Sequence, residues 1–270
     1  MSPRATWVTD RRPGIVMDLD GTVWVDGRTI PGAEDCLRWL REAGFPLVYL
    51  TNNPVRPETY ASRLTARGLP TEATDVITAS AILKAYLQET SPRARLFVLA
   101  DPDVRAQFES DFRFSDDPST IDVVVATSPT MLDYAGLTIA HRAIQRGARF
   151  VATNADPACM APDGQEVPHA AAVIAALEAT TKRSPECIAG KPSSLAADQV
   201  RLKLNRTPQE ILVVGDSLDT DIRFARENGM RSALVLTGVG RAEEAALEAN
   251  APDHILTSLA DLPGLLEAHP

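Results

Sequence analysis

Seven short apolar runs with little internal alternation constrain this chain most: GIVMDL at 14–19, PLVYLT at 46–51, ARLFVLA at 94–100, DVVVAT at 122–127, ARFVAT at 148–153, EILVVGD at 210–216 and SALVLTG at 232–238. Each is strand-length and rich in Val, Ile and Leu. Strands covered on both faces read this way, because a strand with one wet face alternates apolar with polar residues. Segments with helical spacing lie between them. In AEDCLRWLREAG at 33–44, Cys36, Leu37, Leu40 and Ala43 recur on one face, and Gly44 supplies a C-terminal stop. The same grammar returns at 57–68, 134–147 and 220–229, each ending in glycine. The pattern predicts an α/β protein with a Rossmann-like, doubly wound parallel sheet.

A chain of 270 residues exceeds one modest domain, since domains run roughly 100 to 200 residues each. Polar, proline-containing stretches near 70–80 and 180–192 mark crossings between two α/β units, and the acidic motifs described next flank the middle segment on both sides. The expected organisation is a discontinuous core, 1–80 and 183–270, with an α/β domain inserted at 81–182.

The net charge of −9 works against sequence-independent binding to nucleic acid or an anionic membrane, both of which need a basic surface. Cys36, Cys159 and Cys187 are odd in number and widely spaced, with no CxxC pair, which argues against a zinc site or disulfide framework. The opening MSPRATWVTDRRPG lacks the apolar stretch of a signal peptide, and no apolar run approaches the ~20 residues that span a bilayer. A cytoplasmic protein with reduced thiols is expected.

The strongest chemical signal is DLDGT at 18–22, directly after an apolar run. It places two carboxylates at the carboxyl end of a strand, where open parallel sheets bind ligands. Alternation lets Asp18 and Asp20 converge while Leu19 packs, and Gly21 permits a sharp exit. Neighbouring carboxylates repel unless a cation or shared proton relieves them, although a strand-ending Asp-Gly turn explains the same residues without chemistry. LTNN at 50–53 also ends a strand, where the Thr51 hydroxyl and backbone N–H groups suit an anionic oxygen or, equally, a helix cap. GKP at 190–192 offers Lys191, either a solvated charge or a fixed ammonium beside the aspartates. VVGDSLDTD at 213–221 brings Asp216 to a strand end as a third oxygen ligand for a hard cation such as magnesium. Asp219 and Asp221 either support that metal or cap the following helix.

These four elements, in this order, resemble the phosphatase pattern of the haloacid dehalogenase superfamily. That pattern is DxDGT, then Ser or Thr after a second strand, then Lys, then GDxxxTD. The resemblance implies that Asp18 attacks phosphorus to form an aspartyl phosphate, and that Asp20 protonates the leaving oxygen and then activates water. Gly21, Thr51, Asn52, Asn53 and Lys191 would surround the phosphoryl group. Magnesium would be held by the Asp18 carboxylate, the Asp20 carbonyl and Asp216, with Asp221 supporting from outside.

More narrowly, DLDGTV, LTNN, FVATNADP, VLTGVG and PDHILTSLADL look like the 4-nitrophenylphosphatase and NagD-like branch. That branch carries its cap in the ~100-residue insertion between the second and third motifs. The implied activity is magnesium-dependent hydrolysis of a small phosphorylated metabolite: a phosphosugar, phosphoglycolate, glycerol phosphate or nucleotide. The cap loop at 152–168 would choose the leaving group, with Thr153, Asn154 and Asp156 as contacts, although turn chemistry explains these residues as well. Two cap segments depart from the branch: ATS at 126–128, and His169 after Pro168, to which no role is assigned. Phosphotransfer by a mutase through the same intermediate, or a silent phosphoester-binding protein on the same fold, are the alternatives. Relatives in the branch often pair through the cap, so a homodimer is an expectation of the resemblance alone.

Overall fold

A computed structural model describes residues 11–25, 27–160, 165–245 and 251–268, in two compact units. Of the described residues, the first comprises 11–25, 27–51, 58–77, 191–245 and 251–268; the second comprises 52–57, 78–160 and 165–190. Among the described residues no helix is long and apolar enough to cross a membrane.

The first unit is built on a six-stranded sheet in the order His254–Leu256, Arg231–Val235, Ile211–Gly215, Gly14–Met17, Leu47–Thr51, Val76–Thr78. The four pairings from His254–Leu256 across to Leu47–Thr51 are parallel. The central strand has Ile15, Val16 and Met17 all buried on consecutive positions, which only a strand covered on both faces allows. Each such apolar side chain removed from water stabilises the fold by about 1.5–3 kcal/mol. From Gly14–Met17 the chain builds first to one side, through Leu47–Thr51 and Val76–Thr78. It later returns to build the other side, from Ile211–Gly215 outward. The strand order therefore reverses between Gly14–Met17 and Ile211–Gly215, and ligands bind beyond the carboxyl ends at such a reversal. Asp18 and Asp216 directly follow those two strands.

Helix Ala33–Glu42 turns Ala33, Cys36, Leu37 and Leu40 inward. It ends as expected at Gly44, whose φ of 73° suits a residue without Cβ and whose N–H reaches Arg41 O at 2.9 Å. The helix expected over 220–229 begins differently. A wide π-helical turn, Leu218–Ile222, precedes helix Arg223–Glu227, and the Ile222 N–H reaches back five residues to Ser217 O at 3.1 Å.

The second unit is a separate α/β layer with five strands in the order Cys187–Ile188, Arg149–Ala152, Val123–Ala126, Arg95–Leu99, Arg113–Phe114, all neighbours parallel. Phe97, Val124, Ile144, Phe150 and Leu177 share its core with helices Tyr134–Gln145 and Ala170–Thr181. Its limits differ from the expected 81–182 for three local reasons. Helix Ala79–Thr90 starts earlier because the Thr78 hydroxyl caps it by accepting from Ala81 N at 3.3 Å. The strand Cys187–Ile188 pairs with Arg149–Ala152 and carries the unit through to 190. The segment 52–57 joins it because Pro54 O accepts from the Ser80 hydroxyl at 2.7 Å and from Gln107 Nε2 at 2.8 Å. Of the loop at 152–168, residues 161–164 lie outside the described residues.

Candidate active site

In the first unit the structure brings Asp18, Lys191, Asp216 and Asp221 together. The Lys191 ammonium donates to Asp18 Oδ1 at 2.7 Å, to Asp221 Oδ1 at 2.6 Å and to the Leu50 carbonyl at 3.2 Å. All four ionisable side chains are buried. The lysine is therefore no solvated surface charge; it is the cation of a buried cluster. One ligand oxygen from each of Asp18, Asp216 and Asp221 lies within 4.8 Å of the others. Asp18 Oδ2 is buried with no hydrogen-bond partner.

The residues around Asp216 explain why the loop after the last long strand matters. Asp216 Oδ2 accepts from the Val239 N–H at 2.8 Å, and Gly240 N–H donates to the Asp216 carbonyl at 2.8 Å. A Cβ on Gly238 would sit 1.8 Å from Asp216 Oδ2, and one on Gly21 would sit 2.3 Å from it. Only glycine fits at either place, and Gly21 also holds a φ of 92°. The VLTGVG segment at 235–240 thus wraps the third carboxylate.

Asp221 is 1% exposed, its Oδ1 on Lys191 and its Oδ2 accepting from the Ser217 N–H at 3.1 Å. The π-helical turn aims it inward. Asp219, in the same turn, is exposed and outside the carboxylate cluster.

Burial pushes the Asp18 carboxyl well above the usual carboxylate range; Lys191 opposes that, while Asp221 and Asp216 add to it. Burial alone would lower the lysine, but Asp18 and Asp221 outweigh it and keep Lys191 charged, above its ordinary value. Asp216 is pushed up to about 6, by burial first and by Asp221 next, against the Val239 amide. With a folded value of about 6 against an ordinary 3.8, folded Asp216 keeps a proton that the unfolded chain has released. Its contribution to stability is full below pH 3.8 and is lost as the pH rises through about 6. In chelator, the melting temperature of wild type relative to Asp216→Asn should fall across that window, and a pH-independent difference would contradict the desolvation of Asp216.

Asp20 stands apart from the buried cluster. It is exposed, with Oδ1 accepting from Trp24 Nε1 at 2.7 Å and Oδ2 from the Tyr60 hydroxyl at 3.3 Å. Thr51 is buried at the end of its strand. Trp24 and Tyr60 were not singled out from the sequence. Tyr60 reads there as one apolar position of a helix, and the one cue for Trp24 is its place two residues beyond DLDGT.

The remaining candidates lie in the second unit, and the structure ties them to one another. Asn52 Nδ2 donates to Asp156 Oδ1 at 2.9 Å, and Asn154 Nδ2 donates to the Asn52 carbonyl at 2.9 Å. Asn53 Oδ1 accepts from Val55 N–H at 3.1 Å. Thr153 is fully buried, its carbonyl accepting from Gly190 N–H at 2.7 Å. His169 is buried, with Nδ1 3.1 Å from Asn154 Oδ1. These side chains fasten the segment after Thr51 into the unit's interior.

The family model described as haloacid dehalogenase-like hydrolase matches residues 15–111, and a second, HAD-hydrolase-like, matches 188–262. A curated relative, the sugar-phosphatase AraL of Bacillus subtilis, is 30% identical over 256 residues, covering 94% of this chain and 93% of its own. The chain belongs to the haloacid dehalogenase-like hydrolases. Within them it is NagD-like. The 4-nitrophenylphosphatase of Thermotoga maritima superposes with a TM-score of 0.86 at 30% identity, over 94% of this chain and 97% of that one. NagD from E. coli K-12 does so with a TM-score of 0.84 at 25% identity, over 93% and 98%. This haloacid dehalogenase-like hydrolase is accordingly a phosphoric monoester hydrolase.

Proposed function

We propose that the chain is a magnesium-dependent phosphatase of small phosphorylated metabolites that works through an aspartyl phosphate on Asp18. One observation carries the reading: Asp18 is buried with Oδ1 held by Lys191, while Oδ2 has no partner. A carboxylate oxygen left unpaired in a buried site is costly unless a ligand or reaction uses it.

The donor set fits a magnesium ion. Three buried carboxylates face a single ammonium, an excess of negative charge that a hard cation relieves. Asp18 and Asp216 would hold it, with the Asp20 carbonyl completing the protein's share. Asp221 would act from outside, because Lys191 and the Ser217 amide occupy its two oxygens. When bound, the ion would offset the charge of the phosphoryl oxygens.

The chain's own residues then divide the work. Asp18 attacks phosphorus, Lys191 orients Asp18 and offsets its charge, and the Thr51 hydroxyl holds a phosphoryl oxygen. Asp20 gives its proton to the leaving oxygen and afterwards takes one from the water that cleaves the aspartyl phosphate. A sugar phosphatase among the relatives supports a small metabolite.

The test is phosphate release from a panel of phosphosugars, phosphoglycolate, glycerol phosphate, nucleotides and 4-nitrophenyl phosphate, with magnesium and with chelator. Release that chelator abolishes and magnesium restores is expected. Full activity without metal would overturn the magnesium assignment, and no release from any ester would overturn the substrate class.

A further inference from the structure

The Asp20 carboxylate is held by two aromatic side chains from different elements. Trp24 is buried on a two-residue strand, where the chain has folded back so that Gly21 N–H donates to the Trp24 carbonyl at 2.8 Å. Tyr60 is fully buried on helix Pro57–Thr65. Their rings lie 6.0 Å apart and within 2° of parallel. The Arg67 guanidinium lies 5.3 Å from the Trp24 ring centre and that of Arg63 lies 5.4 Å from the Tyr60 ring centre. Arg67 is itself anchored, donating to the Thr29 hydroxyl at 3.2 Å and to the Gly27 carbonyl at 2.6 Å. Stacking and cation–π contact on buried rings leave neither donor free to swing.

We propose that Trp24 and Tyr60 are positioning residues for Asp20. The inference rests on the phosphatase reading above and adds to it the residues that hold the acid–base group in place. An indole N–H only donates, so the oxygen it holds at 2.7 Å remains an acceptor throughout. A phenol both donates and accepts. It tolerates Oδ2 with or without a proton. Oδ2 is therefore the oxygen that exchanges the proton. As Asp18 bonds to phosphorus and the ester P–O bond breaks, the leaving oxygen takes the Oδ2 proton. The incoming water returns one to Oδ2 as its oxygen bonds to phosphorus and the Asp18–phosphorus bond breaks, releasing phosphate.

The discriminating measurement is the dependence on leaving group in wild type, Trp24→Phe and Tyr60→Phe, with 4-nitrophenyl phosphate and glycerol phosphate as substrates. A nitrophenolate departs with little help from an acid, whereas an alkoxide needs the proton, and general acid catalysis contributes about 10²–10⁴-fold. Both variants should lose about tenfold more kcat on glycerol phosphate than on 4-nitrophenyl phosphate, with KM within about twofold of wild type. Equal losses on the two esters, or a change in KM alone, would overturn the inference while leaving the phosphatase reading in place. A wild type that cleaves neither ester would defeat both. A second readout needs no turnover: the Trp24 indole N–H resonance, assigned with Trp24→Phe, should move upfield in Asp20→Ala, and an unmoved resonance would overturn the contact.

Discussion

Replacing Asp18 by asparagine is expected to lower kcat by about 10⁵-fold or more, the scale seen when a nucleophile that forms a covalent intermediate is removed. The side chain keeps its size, so the packing of this buried position is preserved. What changes is the charge. The amide oxygen can still accept from Lys191, but the amide nitrogen takes the place of Oδ2, the oxygen that has no partner in the fold. A nitrogen there neither attacks phosphorus at a useful rate nor holds a cation. Stability should change little, because loss of the charge that pairs with Lys191 is offset by relief of repulsion among three clustered carboxylates. Phosphate release and thermal unfolding, measured on the same preparation, check both halves. Turnover within tenfold of wild type would place the nucleophile elsewhere.

The second large effect is on the fold itself. Lys191→Ala removes the only hydrogen-bonding cation recorded for Asp18 and Asp221 among the described residues, and leaves those two buried carboxylates facing each other. Removing one member of a buried ion pair costs about 3–5 kcal/mol, because the uncompensated charge stays out of water. Urea unfolding at neutral pH should show a loss of that size alongside loss of turnover. Adding Asp221→Asn to Lys191→Ala should recover part of the stability but none of the activity, since one stranded charge is gone while the cation that positions Asp18 is still missing. A loss below about 1 kcal/mol for the single variant would mean that water reaches the cluster and that the pair behaves as a surface one.

Much of the first unit was legible because its signals are local. Consecutive burial of Ile15, Val16 and Met17 is written as an unbroken apolar run, and Gly44 marks a helix end by its own lack of Cβ. Four edge strands of the two larger sheets fall outside the seven apolar runs: Val76–Thr78, Arg113–Phe114, Cys187–Ile188 and His254–Leu256. Each has two or three residues, too short for a period to register, and each is held in place by a neighbour distant in sequence. The domain limits moved for the same reason. Residues 52–57 carry no sign that Pro54 will accept hydrogen bonds from Ser80 and Gln107.

The candidate site divides along a similar line. Asp18, Thr51, Lys191 and Asp216 could be picked out because each follows or precedes an apolar run at a strand's carboxyl end, and in a parallel sheet those ends converge. Their motif spacing carried the family as well. The sequence by itself thus determined the parallel α/β core, the family and the carboxylate-rich strand ends, since apolar periodicity and short motifs are properties of neighbours in the chain. Only the tertiary structure decided which aspartates share the buried cluster. It seated Asp221 on Lys191 and left Asp219 in solvent two residues away, because a π-helical turn sets their directions. It also brought Trp24 and Tyr60 to Asp20, a contact between a strand and a helix 36 residues apart in the chain that no local pattern encodes.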